Sequence, residues 1–309
     1  MVREMTVDQQ TATVRRFNRS YTQRIGALED SFLGMGLPLP AIRLMFEIGS
    51  EPGTVRDLRT RLGLDSGYLS RLLRRLESDG LVELEADPAD RRRRVATLTA
   101  KGRERWDDLE VRSEVRARTL IDPLTERQRA RLVAALAEAD LLVRAATVTL
   151  EEVEPTSPAA QAAVQRYFDE IHDRFGFDSV GLDAKDATML RPPDGVFIVA
   201  VSDGAPVACG GLQTIGPGVG EIKRMWVDDA WRGAGLGSRV LRDLEGRAVS
   251  FGHRVLRLDT NQTLTEAIAM YERAGYQSVD RYNDNPFATH FFEKALAPST
   301  YPNAQSSVP

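Results

Sequence analysis

Over roughly the first 147 residues apolar side chains return every three or four positions, the period of half-buried helices, and beyond residue 148 they gather in short runs bounded by glycine, proline and aspartate, as strands do. In residues 7–32 the recurring positions are Val14, Phe17, Tyr21, Ile25 and Leu28, a helix that Gly34 and Gly36 stop. Pro38 and Pro40 open a second helix through Ile42, Leu44, Met45, Phe46 and Ile48; Thr54 caps a third, carrying Val55, Leu58 and Leu62 to Gly63. Asp65 or Ser66 caps a fourth, with Leu69, Leu72, Leu73 and Leu76 on one face and Gly67, Ser70, Arg71, Arg74 and Arg75 on the other. Two strand patterns flank an Asp87-Pro88 turn, and helical patterns over residues 100–120 and 125–147 complete the front half. The back half predicts a strand at 148–150, a helix at 159–174 and an irregular stretch at 176–193. A hairpin of 196–201 and 206–212 about Asp203-Gly204 follows, then a strand at 221–227, a helix ended by Gly252 and a strand at 255–259. A helix at 265–273 and strands at 276–279 and 290–294 close the chain.

A short helix, a tight turn at Gly63-Leu64 and a second helix exposing serines and arginines describe a helix-turn-helix. A solvated arginine face would by itself account for the fourth helix. The hairpin beside it, with a basic tip from Arg91 to Arg94, adds a wing whose arginines can enter a minor groove or neutralise phosphates. The segment resembles the MarR family of winged-helix transcriptional regulators. Asp87-Pro88-Ala89-Asp90-Arg91-Arg92 matches D-x-x-D-R-R, Leu98-Thr99-Ala100-Lys101-Gly102 matches L-T-x-x-G, and residues 73–82 match L-x-x-L-E-x-x-G-L-V. The resemblance covers residues 5–145 and implies an obligate homodimer reading a pseudo-palindromic operator in double-stranded DNA. It places Ser66, Tyr68, Ser70 and Arg71 near bases and Arg92 or Arg94 in the wing, with Arg74, Arg75 and Arg91 completing the DNA-facing set. The first helix and the two after the wing would form the dimer interface. The effector pocket of many relatives has no legible signature here.

Residues 221–239, EIKRMWVDDAWRGAGLGSR, join a strand to a glycine-rich turn and then to an amphipathic helix carrying Val240, Leu241, Leu244 and Ala248. Gly233, Gly235 and Gly237 let backbone approach a ligand, and the helix start offers unpaired N–H groups and a positive dipole end: a cradle for an anion such as a pyrophosphate. A Walker A loop would need Gly-Lys-Ser/Thr, and a Rossmann fingerprint a glycine where Ser238 stands. The remaining pattern, Arg-x-x-Gly-x-Gly between strand and helix, resembles motif A of the Gcn5-related N-acetyltransferases (GNAT), and Tyr271-Glu272-Arg273-Ala274-Gly275-Tyr276 matches that family's Y-x-x-x-G-F/Y. This resemblance covers residues 147–297. It implies an α+β fold with a mixed, largely antiparallel sheet, acetyl-CoA as co-substrate and an amine as acceptor. Met225, Trp226, Val227, Arg232, Gly233, Ala234, Gly235, Leu236, Gly237 and Ser238 would hold pantetheine and pyrophosphate. Leu264 stands where many relatives have a cofactor-contacting asparagine, and Asn261 is the substitute. Glu221, eleven residues before Arg232, takes the position of a general base, and Tyr271 that of the acid for the departing thiolate. A plain strand carboxylate and a core aromatic are the structural alternatives. Tyr282, Asn283 and His290 would border the acceptor.

At 309 residues and 42% hydrophobic the chain has room for two cores, giving a multidomain protein, mostly α in front and α+β behind. Its net charge of −4 hides an asymmetry, because residues 1–148 carry 26 basic against 23 acidic side chains; the front half is the partner for a polyanion. Cys209, the single cysteine, excludes an intramolecular disulfide and sits in an apolar run as a packing thiol; His172, His253 and His290 are far apart, and no structural metal is expected. No apolar stretch approaches the roughly 18 residues of a membrane span and no signal peptide opens the chain, so a cytoplasmic protein is expected. The expected division is a MarR-type domain at 1–146, a GNAT domain at 147–297 without a flexible linker between, and a disordered tail at 298–309. The function so implied is a transcriptional regulator fused to an N-acetyltransferase for a small amine or a protein lysine. The alternatives are a regulator whose GNAT half senses acyl-CoA or a metabolite without turnover, and an enzyme that its front half merely dimerises.

Overall fold

A computed structural model describes residues 5–88, 90–176, 184–202 and 204–296, which leaves Ala89 of the wing signature, Asp203 of the hairpin turn and the expected tail outside the described residues. The chain divides into two compact units, Met1–Val133 and Ala134–Pro309. Unit 1 contains α1 (Val7–Arg24), α2 (Leu39–Ser50), β1 (Gly53–Thr54), α3 (Val55–Leu62), α4 (Ser66–Ser78), β2 (Val82–Ala86), β3 (Arg94–Leu98), α5 (Ala100–Ile121) and the start of α6 (Glu126–Thr147). Helix α1 opens on a Thr6–Gln9 capping box but ends at Arg24 rather than at residue 32. Gly26 takes a left-handed φ of +72° there, so the apolar period continues while the helix does not. None of α1 is buried; Val14 is 59% and Phe17 49% exposed, and Phe17 stacks on Tyr21.

The remainder of unit 1 follows its caps. Thr54 and Asp57 cap each other at the start of α3, Gly63 turns left-handed after it, and Asp65 accepts from the Tyr68 amide to start α4. Leu69, Leu72, Leu73 and Leu76 pack against Ile42, Leu44, Met45 and Ile48 of α2 and against Leu58. Strands β2 and β3 form the antiparallel hairpin, and β1 adds to the free edge of β3. At the foot of this wing Gly102 of α5 approaches Leu81 so closely that a Cβ would lie 1.9 Å from the Leu81 carbonyl oxygen. Gly102→Ala is expected to cost about 1 to 3 kcal/mol by forcing backbone apart, lowering the urea midpoint. A midpoint equal to that of the native chain would show that α5 shifts freely.

Unit 2 contains the end of α6, β4 (Leu150–Glu152), α7 (Pro158–Phe175), α8 (Ala184–Met189), β5 (Gly195–Ser202), β6 (Ala205–Gly216), β7 (Val219–Val227), α9 (Leu236–Ser250), β8 (Val255–Thr260), α10 (Thr265–Arg273), β9 (Gln277–Ser278) and β10 (His290–Ala295). Helix α8 falls in the stretch expected to be irregular, of which residues 177–183 are outside the described ones. The sheet order is β4-β5-β6-β7-β8-β10-β9, and among the described residues only β7 and β8 pair in parallel. Phe168 and Ile171 of α7 pack with Phe197, Val199 and Cys209, while Val240 and Leu244 of α9 pack with Ile198 and Leu212. Both faces are thus covered, which is why β5 reads as an unbroken apolar run. Cys209 is fully buried, as expected of a packing thiol. No helix among the described residues is long and apolar enough to cross a membrane.

One irregularity shapes this sheet. Strands β7 and β8 pair only from Val219 to Glu221 against Val255 to Arg257, although β7 runs on to Val227 and β8 to Thr260. Opposite β6 the register of β7 shifts between the Cys209–Trp226 and Gly211–Lys223 pairs, and Arg224 there has φ +54°. The extra residue bends β7 and ends its pairing with β8, which opens a wedge in the sheet.

Candidate active site and nucleic-acid interface

On the far side of the wedge β7 leads through a short turn, residues 229–231, into the glycine loop. Gly233 and Gly235 have φ of +81° and +79°, a region that suits glycine. Gly235 also caps α9 without a side chain, so the first N–H groups of that helix reach no carbonyl of their own and remain for a ligand. Arg232, Gly233, Gly235, Leu236, Gly237 and Ser238 line a cavity of about 520 Å³, with Met225, Trp226, Val227 and Tyr271 forming its apolar side. Ala234 packs on the core instead. The amide rim suits a diphosphate and the apolar side an extended acyl carrier, so the residues fit acetyl-CoA. The Arg232 guanidinium donates to Glu170 and to the Val227 carbonyl, and Glu170 also accepts from Trp226 Nε1 at 2.9 Å and pairs with Arg174 at 2.9 Å.

A second cavity, about 610 Å³, occupies the wedge itself. Tyr167, Ile171, Met225, Leu264, Ala267 and Tyr271 line both cavities, so the two meet at these side chains. Tyr271 is 6% exposed, with its hydroxyl 3.7 Å from Met225 Sδ. Burial, with the Tyr167 hydroxyl and the Asp259 charge adding to it, pushes its pKa well above the ordinary tyrosine value. It therefore stays an O–H donor at neutral pH.

The floor of the second cavity is a buried polar network. Glu221 Oε1 accepts from Lys223 Nζ at 2.9 Å, Tyr282 Oη at 2.9 Å and Asn283 Nδ2 at 3.2 Å, and its Oε2 from Gln213 Nε2 at 2.7 Å. Asp259 accepts from Lys223 Nζ at 2.9 Å, Asn285 Nδ2 at 2.7 Å and Asn283 Nδ2 at 3.4 Å. Burial opposes charge on Lys223, but the Asp259 and Glu221 carboxylates overcome it and hold the amine above its ordinary pKa. Burial likewise opposes charge on Asp259, and Lys223 with the two asparagines more than offsets it, holding that carboxyl low. Burial and the neighbouring carboxylates keep the Tyr282 hydroxyl protonated.

The structure thus brings Glu221 and Asn283 to the second cavity, holds Tyr282 on Glu221 although it lines neither cavity, and places Tyr271 where the cavities join. Two expected residues are placed elsewhere. His290 lines neither cavity; its Nδ1 lies 3.0 Å from Thr289 Oγ1 and its ring stacks on Phe292. Asn261 lines the second cavity rather than the first, and its side chain closes a turn, donating to the Phe287 carbonyl at 2.7 Å and accepting from the Thr263 amide at 2.9 Å. Sequence reasoning misses Lys223, Asp259, Asn285 and Gln213. Lys223 had a signal, since it stands two residues from Glu221 on one strand and so shares its face. Gln213 becomes visible only when β6 pairs with β7 and sets it opposite Glu221.

In unit 1 the outward face of α4 presents Ser66, Arg71, Arg74 and Arg75 as exposed side chains, with Tyr68 and Ser70 half-buried. The Arg71 guanidinium lies over the Tyr68 ring, and Ser70 Oγ donates to the Ser66 carbonyl. Arg91, Arg92 and Arg94 are exposed on the wing; Arg94 also donates to the Leu84 carbonyl across the hairpin. A recognition-type helix and a basic hairpin tip thus share one small unit.

Known proteins resemble the two parts separately. The acetyltransferase (GNAT) family model matches residues 150–276, and the MarR family model matches residues 35–93. An IAA acetyltransferase of Azospirillum brasilense is 32% identical over 156 residues, 48% of this chain and 98% of that protein. An uncharacterized N-acetyltransferase of Schizosaccharomyces pombe is 30% identical over 40% of this chain and 77% of that one. The HTH-type transcriptional regulator BilQ of Clostridium symbiosum is 32% identical over 73 residues, 23% of this chain and 51% of the regulator.

Proposed function

The chain belongs to the GNAT acetyltransferase family and carries a MarR-family domain, and from this we propose a cytoplasmic DNA-binding regulator whose residues 147–297 transfer an acetyl group from acetyl-CoA to a small amine. The observation that carries the enzymatic part is the meeting of a glycine-rimmed cavity with a polar-floored one at Met225 and Tyr271. Acetyl-CoA supplies the activated acyl thioester. The amides of Gly233 to Ser238 would hold its diphosphate, and Met225 to Val227, on the splayed β7, would hold its pantetheine. Tyr271, kept neutral by burial, donates its proton to the departing sulfur. Glu221 accepts four hydrogen bonds, about the capacity of a carboxylate. We therefore assign it the holding of Lys223, Tyr282, Asn283 and Gln213, in place of the general-base part that its sequence position suggests. The amine nitrogen would bond to the acyl carbon as the C–S bond breaks, and its proton would leave to solvent, from which Tyr271 would recover the one given to sulfur. Purified protein mixed with acetyl-CoA and a panel of small amines is expected to release free thiol; silence across the panel overturns the transfer, and acetyl-CoA binding without release would support the sensor reading.

The exposed arginines of α4 and the wing support binding of an operator, and the uncovered apolar face of α1 supports a homodimer. Phosphate contacts release counterions, so affinity for a specific duplex should fall steeply with salt, by about 0.9 in logarithmic slope per contact. Arg91→Ala with Arg92→Ala should flatten that slope by about 2 in a homodimer, or more where all four arginines touch phosphate. An unchanged slope would remove the wing from the interface.

A further inference from the structure

We propose that Lys223 sets the acceptor class: its ammonium already fills the two-carboxylate receptor in the acceptor cavity, so the amine that is acetylated belongs to a monoamine with an otherwise uncharged, largely apolar body. The inference rests on reading the wedge as the acceptor site. Two carboxylates facing one primary ammonium are what a protein would build to hold a cationic amine. Here Glu221 and Asp259, each with a side chain only 5% exposed, spend that geometry on Lys223 Nζ at 2.9 Å apiece. Most of their other acceptor positions are taken by Gln213, Tyr282, Asn283 and Asn285. A second ammonium on the acceptor would therefore find at most one lone pair on each carboxylate, at Glu221 Oε2 and Asp259 Oδ1, and would have to reach it beside the Lys223 ammonium.

The rest of the lining agrees. Besides Glu221, Lys223 and Asp259, the charged residue among the described lining is Arg224, whose guanidinium lies 4.9 Å over the Phe168 ring, so positive and negative charges cancel. Ile171, Phe175, Leu190 and Phe287 give the cavity apolar wall beside the neutral polar groups of Gln213, Thr260, Asn261, Asn283 and Asn285. A polyamine or an aminoglycoside would bring several ammonium groups to a cavity without net negative charge, next to two cations. A monoamine with an aromatic or aliphatic body meets apolar walls and leaves the network intact.

The test has a kinetic arm and a binding arm. In the wild-type protein, thiol release should favour phenethylamine over spermidine by at least tenfold in kcat/KM, about 1.4 kcal/mol. In Lys223→Met, which keeps the stem and loses the charge, the ratio should move toward the polycation by about tenfold or more. Lys223→Ala removes the equivalent of propylammonium. Its Tm should fall below that of the wild type and be raised by propylammonium chloride but not by tetramethylammonium chloride at equal ionic strength, because only the former can donate to both carboxylates. Wild-type turnover of spermidine as fast as phenethylamine overturns the inference while leaving the transferase reading intact. Absence of ammonium-specific rescue overturns it through a measurement that needs no turnover. Thiol release with no amine at all overturns the acceptor reading itself, and the specificity assignment with it.

Discussion

Replacing Tyr271 by phenylalanine should lower kcat by about 10²-fold or more, as expected for loss of a positioned general acid, and leave acetyl-CoA affinity almost unchanged. The substitution deletes one oxygen from a ring that packs among Met225, Tyr276 and Phe292, so the core is kept. Steady-state kinetics and calorimetric titration with acetyl-CoA separate the two quantities. The hydroxyl pKa is raised, so ionisation of Tyr271 should produce no fall in wild-type kcat up to about pH 9, below the ordinary tyrosine range. Undiminished kcat in Tyr271→Phe would make Tyr271 a core aromatic and nothing more.

The second large effect concerns Glu221. Glu221→Leu leaves Lys223 with Asp259 as its carboxylate partner but takes the acceptor from the buried Gln213 and Tyr282 donors, at about 1 to 3 kcal/mol for each stranded group. Glu221→Gln keeps the shape and one acceptor oxygen, so it should destabilise less and lower kcat only modestly. An intact Tm in Glu221→Gln with a kcat reduced by about 10³-fold would return the general-base part to Glu221. The loss of stability should not vary between about pH 6 and 9. Asp259, held below its ordinary value, contributes stability above about pH 4 that fades as pH falls through its folded value. Lys223, held above its own, contributes stability below about pH 10 that fades as pH rises further. Between those limits Asp259 and Lys223 stay charged.

The parts legible in the sequence are those whose cause is local. Gly233, Gly235 and Gly237 stand within a few residues of the backbone geometry they permit, and the leucines of α4 stand within the helix they bury. Caps at Thr54 and Asp65 announce their helices in the same way. Where two local signals conflicted, the backbone decided: the apolar period predicts α1 to residue 32, and Gly26 ends it sooner. The network under the wedge is non-local. Gln213 meets Glu221 by sheet register, Asp259 comes from β8, and Asn283 and Asn285 come from the stretch before β10. The bulge that opens the wedge sits at Arg224, a residue type that gives no warning of a left-handed φ.

Glu170 already holds Arg232, Arg174 and the Trp226 indole at the mouth of the glycine-rimmed cavity. A diphosphate reaching Arg232 would thus meet a guanidinium already paired with a carboxylate rather than a vacant cation. It would have to share that arginine with Glu170 or displace it, and a displaced Glu170 would still have Arg174 and Trp226. The affinity of such a site would then depend on how strongly the resident carboxylate competes with the arriving anion.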